Sequence, residues 1–305
     1  VVKEMNVGLS ILVMLCVGII YGMVLGFLIA YMNIPPWIAT LAGYLAFRGW
    51  ATALLSANSS TGSIAPFPDS FLKIFSGKLF ETPLNELNIP CFAAGVIASV
   101  IVIVSIIMTR KNRVKKGYEV GSVASMAVKI VILTAVIMLF AYKLALSGGI
   151  PTALVWVVVV VLIYQFITSK TTIGRYFYTI GGNREATRLS GINTKRIMFM
   201  AYLNMAVLTS ITALIVVART RAANAMAGTN FEMDAISACV VGGVSAYGGS
   251  GSVFGMVVGA TLIGVINLGM SLMGVDANWQ KVIKGIVLLA AVVFEILNNK
   301  DKTKD

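Results

Sequence analysis

Eight stretches of the chain, 7–32, 36–57, 89–108, 124–145, 151–168, 198–218, 252–273 and 279–297, are apolar over close to the length of a membrane crossing. A bilayer core takes a helix of about 20 predominantly apolar residues. Backbone polar groups in lipid must be satisfied inside the protein, which leaves helices and closed barrels as the only spanning structures. Runs this long read as helices, so the expected fold is all-α, a polytopic integral membrane helical bundle with about eight full spans. A ninth segment, 235–247, is too short to cross as a regular helix and reads as a short broken segment. The composition agrees: 12% of residues are charged, against about 25% in soluble domains.

Charge sets topology. The chain carries 24 Lys and Arg against 12 Asp and Glu, and the basic residues gather in short loops between apolar runs, as the positive-inside bias requires. A nucleic-acid partner is therefore not needed to explain the charge; the partner it implies is the lipid bilayer. The stretch 109–123 (TRKNRVKKGYEVGSV) and the opening residues, with Lys3 beside Glu4, read as cytoplasmic. So does 169–197. The loop 58–88 sets Asp69, Glu81 and Glu86 against Lys73 and Lys78, and 219–234 sets Glu232 and Asp234 against Arg219 and Arg221. Neither has a positive excess, so both read as extracytoplasmic. For 252–273 to start inside, 235–247 must bring the chain back from the outer side. Within 58–88, Phe67, Phe71 and Phe75 recur every four residues with Gly77 as a stop, predicting a short external helix whose aromatic face lies in the interface or receives a partner.

The chain has no histidine, and Cys16, Cys91 and Cys239 lie far apart in apolar segments. The usual general base and the usual soft ligands are thus missing or scattered. No catalytic residue and no metal site is expected, and the chain reads as a transport subunit, not an enzyme. The polar residues inside spans are the candidates for a substrate pathway: Arg48, about 18 Å into its span at about 1.5 Å per residue, with Asn204, Asn267 and Gln165. Arg48 either serves a pathway or structural pair or snorkels outward; the three amides can each hydrogen-bond a hydroxylated solute or tie helices together. Gly243 and Ser245 join them from GGVSAYGGSGSVFG, whose glycine density disfavours a continuous helix and suits irregular backbone beside a water-filled path or close helix packing. Asp and Glu fall in loops or at span ends, Glu295 being the deepest. The relay carboxylate of a proton-coupled carrier is therefore not evident.

The longest polar interruption in the second half, GRYFYTIGGNREATRLSGINTKR (174–196), has its own local logic. Asn183 caps a helix over 184–190, Glu185 suits its first turn, and Gly191 ends it in a left-handed conformation. Thr194 is a second cap, opening the next span. A helix of two turns is not stable alone and needs a surface to dock on. Arg184, Glu185, Ala186, Arg188, Leu189 and Gly191 are the residues it presents.

TTIGRYFYTIGGNREATRLSGI, AGTNFEMDAISACVVGGVSAYGGSGSVFG and TLAGYLAFRG together resemble the simple-sugar permeases of bacterial ATP-binding-cassette importers, over residues 8 to 297. IMTRKNRVKKGYEV, GGIPTALVWVVVVVLIYQFITSKTTIGR and FPDSFLKIFSG look most like the xylose and multiple-monosaccharide type. The resemblance implies a single transmembrane permease domain over 1–305 in the bacterial plasma (inner) membrane. It implies pairing with a second permease copy, docking of a cytoplasmic ATP-binding subunit on a coupling helix at 184–190, and delivery of sugar by an extracytoplasmic sugar-binding protein. No cofactor is expected on this chain, ATP and magnesium belonging to the partner. A cation-coupled secondary transporter and a related permease for nucleosides are the alternatives. The family's GGIDLS-type motif is not found and Val1 is not an initiator methionine, so the chain is expected to lack the family's N-terminal spans.

Overall fold

A computed structural model of the chain describes residues 6–81, 88–118 and 122–302. Lys3, Glu4 and Glu86, used above to set topology, lie outside the described residues, as does the 119–121 part of the basic stretch. In chain order the elements are α1 (Val7–Ala30), α2 (Pro36–Asn58), β1 (Ser63–Ile64), α3 (Asp69–Ser76), β2 (Lys78–Leu79), α4 (Ile89–Lys115), α5 (Val123–Leu146) and β3 (Ile150–Pro151). They continue with α6 (Thr152–Lys170), α7 (Thr172–Gly182), α8 (Arg184–Leu189), α9 (Thr194–Thr220), β4 (Ala223–Asn224), α10 (Phe231–Val241), α11 (Val253–Leu272) and α12 (Ala277–Lys302). The fold is all-α and polytopic, the strands being two-residue ladders. Among the described residues seven helices are long and apolar enough to cross a membrane: α1, α2, α4, α5, α6, α9 and α11. The eighth expected span, 279–297, lies within helix α12, which Lys281, Lys284 and Glu295 make more polar than the others.

The chain forms two compact units, one drawn from 6–68 and 157–302 and the other from 69–156. The first is organised on α1 and α9. Gly18, Gly22 and Gly26 form a stripe of small residues on α1; a Cβ at Gly22 would lie 2.4 Å from the Ala206 Cβ, and one at Gly26 would lie 3.0 Å from the Phe199 ring. Without hydrophobic driving force between helices in lipid, such stripes let backbones approach and gain dispersion contact. The contacts run Gly18 to Ser210, Gly22 to Ala206 and Gly26 to Phe199, so the helices are antiparallel. Val7 therefore sits at the opposite end of the pair from Thr194. This corrects the expectation that the opening stretch and 169–197 share the cytoplasmic side: Lys3 is offset by Glu4 and carries no positive excess.

The second unit pairs α4 with α5, again antiparallel, with Gly95 against Ala141 and the Asn88 amide donating to the Ala145 carbonyl at 3.2 Å. The helix expected from the phenylalanine spacing is α3, but its aromatic face turns inward. Phe71 and Phe75 are 3% and 4% exposed, and Phe75 stacks on Trp156 at 5.7 Å, whose indole N–H donates to the Ile74 carbonyl. The aromatic side thus serves packing within its own unit instead of an interface or partner. The basic stretch after 108 also differs from a simple loop, since α4 runs on to Lys115. Lys and Arg are good helix formers and favour a helix C-terminus electrostatically.

Candidate coupling surface and pathway residues

Within the first unit, the segment between α6 and α9 is built almost wholly of helix. The expected single helix is preceded by α7, unforeseen in the sequence, which Thr171 caps by accepting from the Gly174 amide. Asn183 then serves twice, as the residue that closes α7 and as the N-cap of α8, its side chain accepting from the Ala186 amide at 2.9 Å. The helix α8 is one residue shorter than expected, ending at Leu189 with Ser190 as its cap, and Gly191 follows at φ +82°. The second cap is Asn193, which accepts from the Arg196 amide, and not Thr194, which is buried as the first residue of α9. A carboxamide accepts as readily as a hydroxyl and stood one residue earlier.

Thr187 is the buried residue of α8: it is 5% exposed and its hydroxyl donates back to the carbonyl of the N-cap Asn183. Everything else on the helix faces out. Arg184, Glu185, Ala186, Arg188 and Gly191 are exposed, and Leu189 is 77% exposed. Arg188 forms a two-point pair with Glu185, at 3.1 Å through Nε and 2.5 Å through the terminal nitrogen. The Arg188 hydrogen bond, opposed by desolvation and helped least by the Arg188 charge, holds the Glu185 carboxyl below its ordinary pKa, and the Arg188 pKa is raised in turn. A short rigid helix with one bare leucine beside a fixed charge pair suits a protein groove better than a lipid surface.

The turn α7–α8 rests on the glycine-rich segment between α10 and α11. The Tyr178 hydroxyl donates to the Gly251 carbonyl at 3.1 Å. Ser245 closes this segment on itself, its amide donating to the Ser250 carbonyl and its carbonyl accepting from the Gly248 amide, both at 3.1 Å. Gly243 supplies a left-handed turn at φ +80°. The short segment 235–247 is thus helix α10 as far as Val241, then turns. At about 1.5 Å per residue, the 11 residues of α10 span roughly 16 Å, half a bilayer.

The candidate pathway residues do not form one hydrogen-bonded cluster among the described residues; each has its own partners. Arg48 donates to the Ala225 carbonyl and the Thr229 hydroxyl, both at 2.8 Å, and its guanidinium lies 5.3 Å from the Tyr44 ring centroid. It ties α2 to the irregular segment that leads into α10. Asn204 accepts a hydrogen bond from the Tyr164 hydroxyl, joining α9 to α6. Gln165 bonds Ser169 in its own helix. Asn267 on α11 donates to Asp234 on α10 at 3.3 Å, and Lys284 on α12 reaches the same carboxylate at 2.8 Å and 3.1 Å. Asp234, taken from sequence as the last residue of the 219–234 loop, lies instead in the first turn of α10 and is half-buried. Lys284 was missed altogether. Their pairing spans 50 residues and leaves no local spacing signal; only Lys281 and Lys284 beside an apolar run hinted at it.

A family profile described as branched-chain amino acid transport system / permease component matches residues 2–292. The chain belongs to that family. Among curated relatives, the xylose transport system permease protein of Haemophilus influenzae is 35% identical over 95% of this chain and 75% of its own length. The corresponding Escherichia coli K12 protein is 34% identical over 93% of this chain and 70% of its own length. The ribose import permease protein of Escherichia coli K12 is 42% identical over 48% of this chain and 46% of its own length. No solved structure matches the chain. Family membership and the seven apolar helices make it a multi-pass permease component of the bacterial plasma membrane, a transport component and not an enzyme.

Proposed function

We propose that the chain is the membrane-spanning permease subunit of an ATP-driven importer for a monosaccharide such as xylose, arabinose or glucose. A homodimer of this chain, a cytoplasmic ATPase on α8 and an extracytoplasmic sugar-binding protein complete the assembly. The observation that carries this reading is the exposed, doubly capped helix α8, whose Leu189 is 77% exposed while Thr187 is buried. A pre-formed two-turn helix loses little entropy on docking, which suits a contact that must transmit force. The relatives named for xylose and ribose transport support the sugar class. The asparagine amides and tyrosine hydroxyls on the helices are groups that exchange hydrogen bonds with a neutral polyol without stranding a charge.

Affinity capture of the chain from its native membrane, followed by reconstitution of the captured assembly with the sugar-binding protein, tests this directly. The expected result is co-capture of an ATPase and ATP-dependent uptake of radiolabelled xylose, outcompeted by pentoses but not nucleosides. Glu185→Arg and Leu189→Asp should each abolish capture of the ATPase while leaving the chain in the membrane. Uptake by the purified chain alone, driven by an ion gradient, would overturn the reading.

A further inference from the structure

The close approach of α7 to the α10–α11 turn is made without side chains. A Cβ at Gly181 would lie 2.6 Å from the Gly249 nitrogen, one at Gly248 would lie 2.7 Å from the Gly181 carbonyl oxygen, and one at Gly249 would lie 2.8 Å from the Gly182 Cα. Every neighbour is main chain, so none can rotate away. Gly248 and Gly249 also hold φ of +90° and +79°, conformations that L side chains strain to adopt. The contact has no slack on either side. Asn183 alone separates α7 from α8. On the far side the turn is braced by its own hydrogen bonds at Ser245 and by Glu295 of α12, which accepts from the Ala246 amide at 3.4 Å. Beyond it, α10 and α11 are again in main-chain contact, a Cβ at Gly259 meeting the Ala238 carbonyl oxygen at 2.0 Å.

We infer that Gly181, Gly248 and Gly249 are positioning residues for transport, forming a side-chain-free joint through which a displacement of α8 is passed to the α10–α11 hairpin. This rests on the reading of α8 as the ATPase contact. Packed backbone deforms little under load, so the turn between α10 and α11 moves with α7 instead of absorbing its motion. Glu295 ties the same turn to α12, and Asp234 ties the other end of α10 to α11 and α12. The three helices therefore respond as one body.

Two neighbouring glycines give a controlled test. Neither Gly181 nor Gly182 is in the left-handed region, and alanine favours helix over glycine at both. Their surroundings differ: the nearest atom to a Cβ at Gly182 is the Gly249 Cα at 3.8 Å, an ordinary contact, against 2.6 Å to main chain at Gly181. In the reconstituted complex with ATPase and sugar-binding protein, Gly182→Ala should transport xylose within about twofold of the parent. Gly181→Ala should bind the ATPase and hydrolyse ATP at the basal rate. It should nevertheless lose at least about tenfold in uptake, together with the stimulation of hydrolysis by sugar-loaded binding protein. Tyr178→Phe, which removes one hydroxyl and no volume, should lower the ratio of stimulated to basal hydrolysis at least about twofold. The inference is overturned if Gly181→Ala transports like Gly182→Ala, if Gly181→Ala fails to capture the ATPase, or if Tyr178→Phe leaves the ratio unchanged. Failure of the underlying reading shows separately, as a parent chain that captures no ATPase.

Discussion

The Asp234–Lys284 pair is the interaction whose removal should cost most for the fewest atoms. Among the described residues, Lys284→Met leaves the Asp234 carboxylate with the Asn267 amide at 3.3 Å as its hydrogen-bond donor. Breaking a fully buried pair by deleting one partner costs about 3–5 kcal/mol, because a charge is left without compensation. Here the Lys284 and Asp234 side chains keep 23% and 29% exposure, which with the surviving amide bond lowers the expectation to about 2–3 kcal/mol for either Lys284→Met or Asp234→Asn. The double variant strands no charge, and the carboxamide that replaces the Asp234 carboxylate still offers the Asn267 amide an acceptor. It should lose only about 1–2 kcal/mol, giving a coupling energy of about 3 kcal/mol at the upper end of what contacting residues show.

The assay is unfolding of the detergent-solubilised chain by titration with a denaturing surfactant, followed by loss of helix and by tryptophan fluorescence, for the parent, both single variants and the double. Single-variant losses that add to within about 0.5 kcal/mol in the double would refute the reasoning. The two residues would then be stabilising α10 and α12 separately, Asp234 for instance through the first-turn dipole of α10, and the three-helix body would lose its central pin.

Two further outcomes follow from the same geometry. Gly259→Ala drives a methyl into the Ala238 carbonyl and should destabilise by about 3 kcal/mol or more. In Gly264→Ala, five residues along the same helix and with nothing within 4 Å, stability should hold or rise by up to about 1 kcal/mol; equal behaviour in the surfactant titration would count against the α10–α11 packing. The Glu185–Arg188 pair gives a pH signature. Because the folded Glu185 pKa lies below its unfolded value, its contribution is fully present above the ordinary carboxylate range and is lost as pH falls through the depressed value. Amide exchange over 184–190, corrected for intrinsic rates, should hold its protection down to that range and drop below it, and Glu185→Gln should remove the step.

The spans were legible because a 20-residue apolar run has one physical answer in lipid, and α8 was legible because Asn183, Glu185 and Gly191 are local signals a few residues apart. What stayed hidden depends on partners distant in sequence. The Gly18, Gly22 and Gly26 stripe has a readable spacing, but the residue it admits, Ala206 or Phe199, lies far along the chain, so the antiparallel pairing that fixes the direction of α1 could not be read. Charge counting filled that gap with Lys3 and put the opening stretch on the same side as 169–197, which the pairing of α1 with α9 excludes. Helix α7 escaped notice because Gly174, Gly181 and Gly182 read as loop; two of them are spent on backbone contact, at Ile167 and at Gly249, which overrides propensity.

Asp234 carries the same lesson into mechanism. The lack of a mid-span carboxylate spoke against a cation-coupled carrier, and the structure shows one half-buried carboxylate, Asp234, in the first turn of α10. Its setting supports that conclusion. A coupling carboxylate must offer net negative charge to an arriving cation, and Asp234 already has an ammonium 2.8 Å away, from a lysine whose helix it pins to α10. A cation could bind only by expelling Lys284 into a partly apolar setting, at a cost of several kcal/mol for an unpaired charge. The pair is built to hold three helices together, and the energy to move them has to enter elsewhere. On the proposed reading that entry is the exposed helix α8, which begins three residues after Gly181.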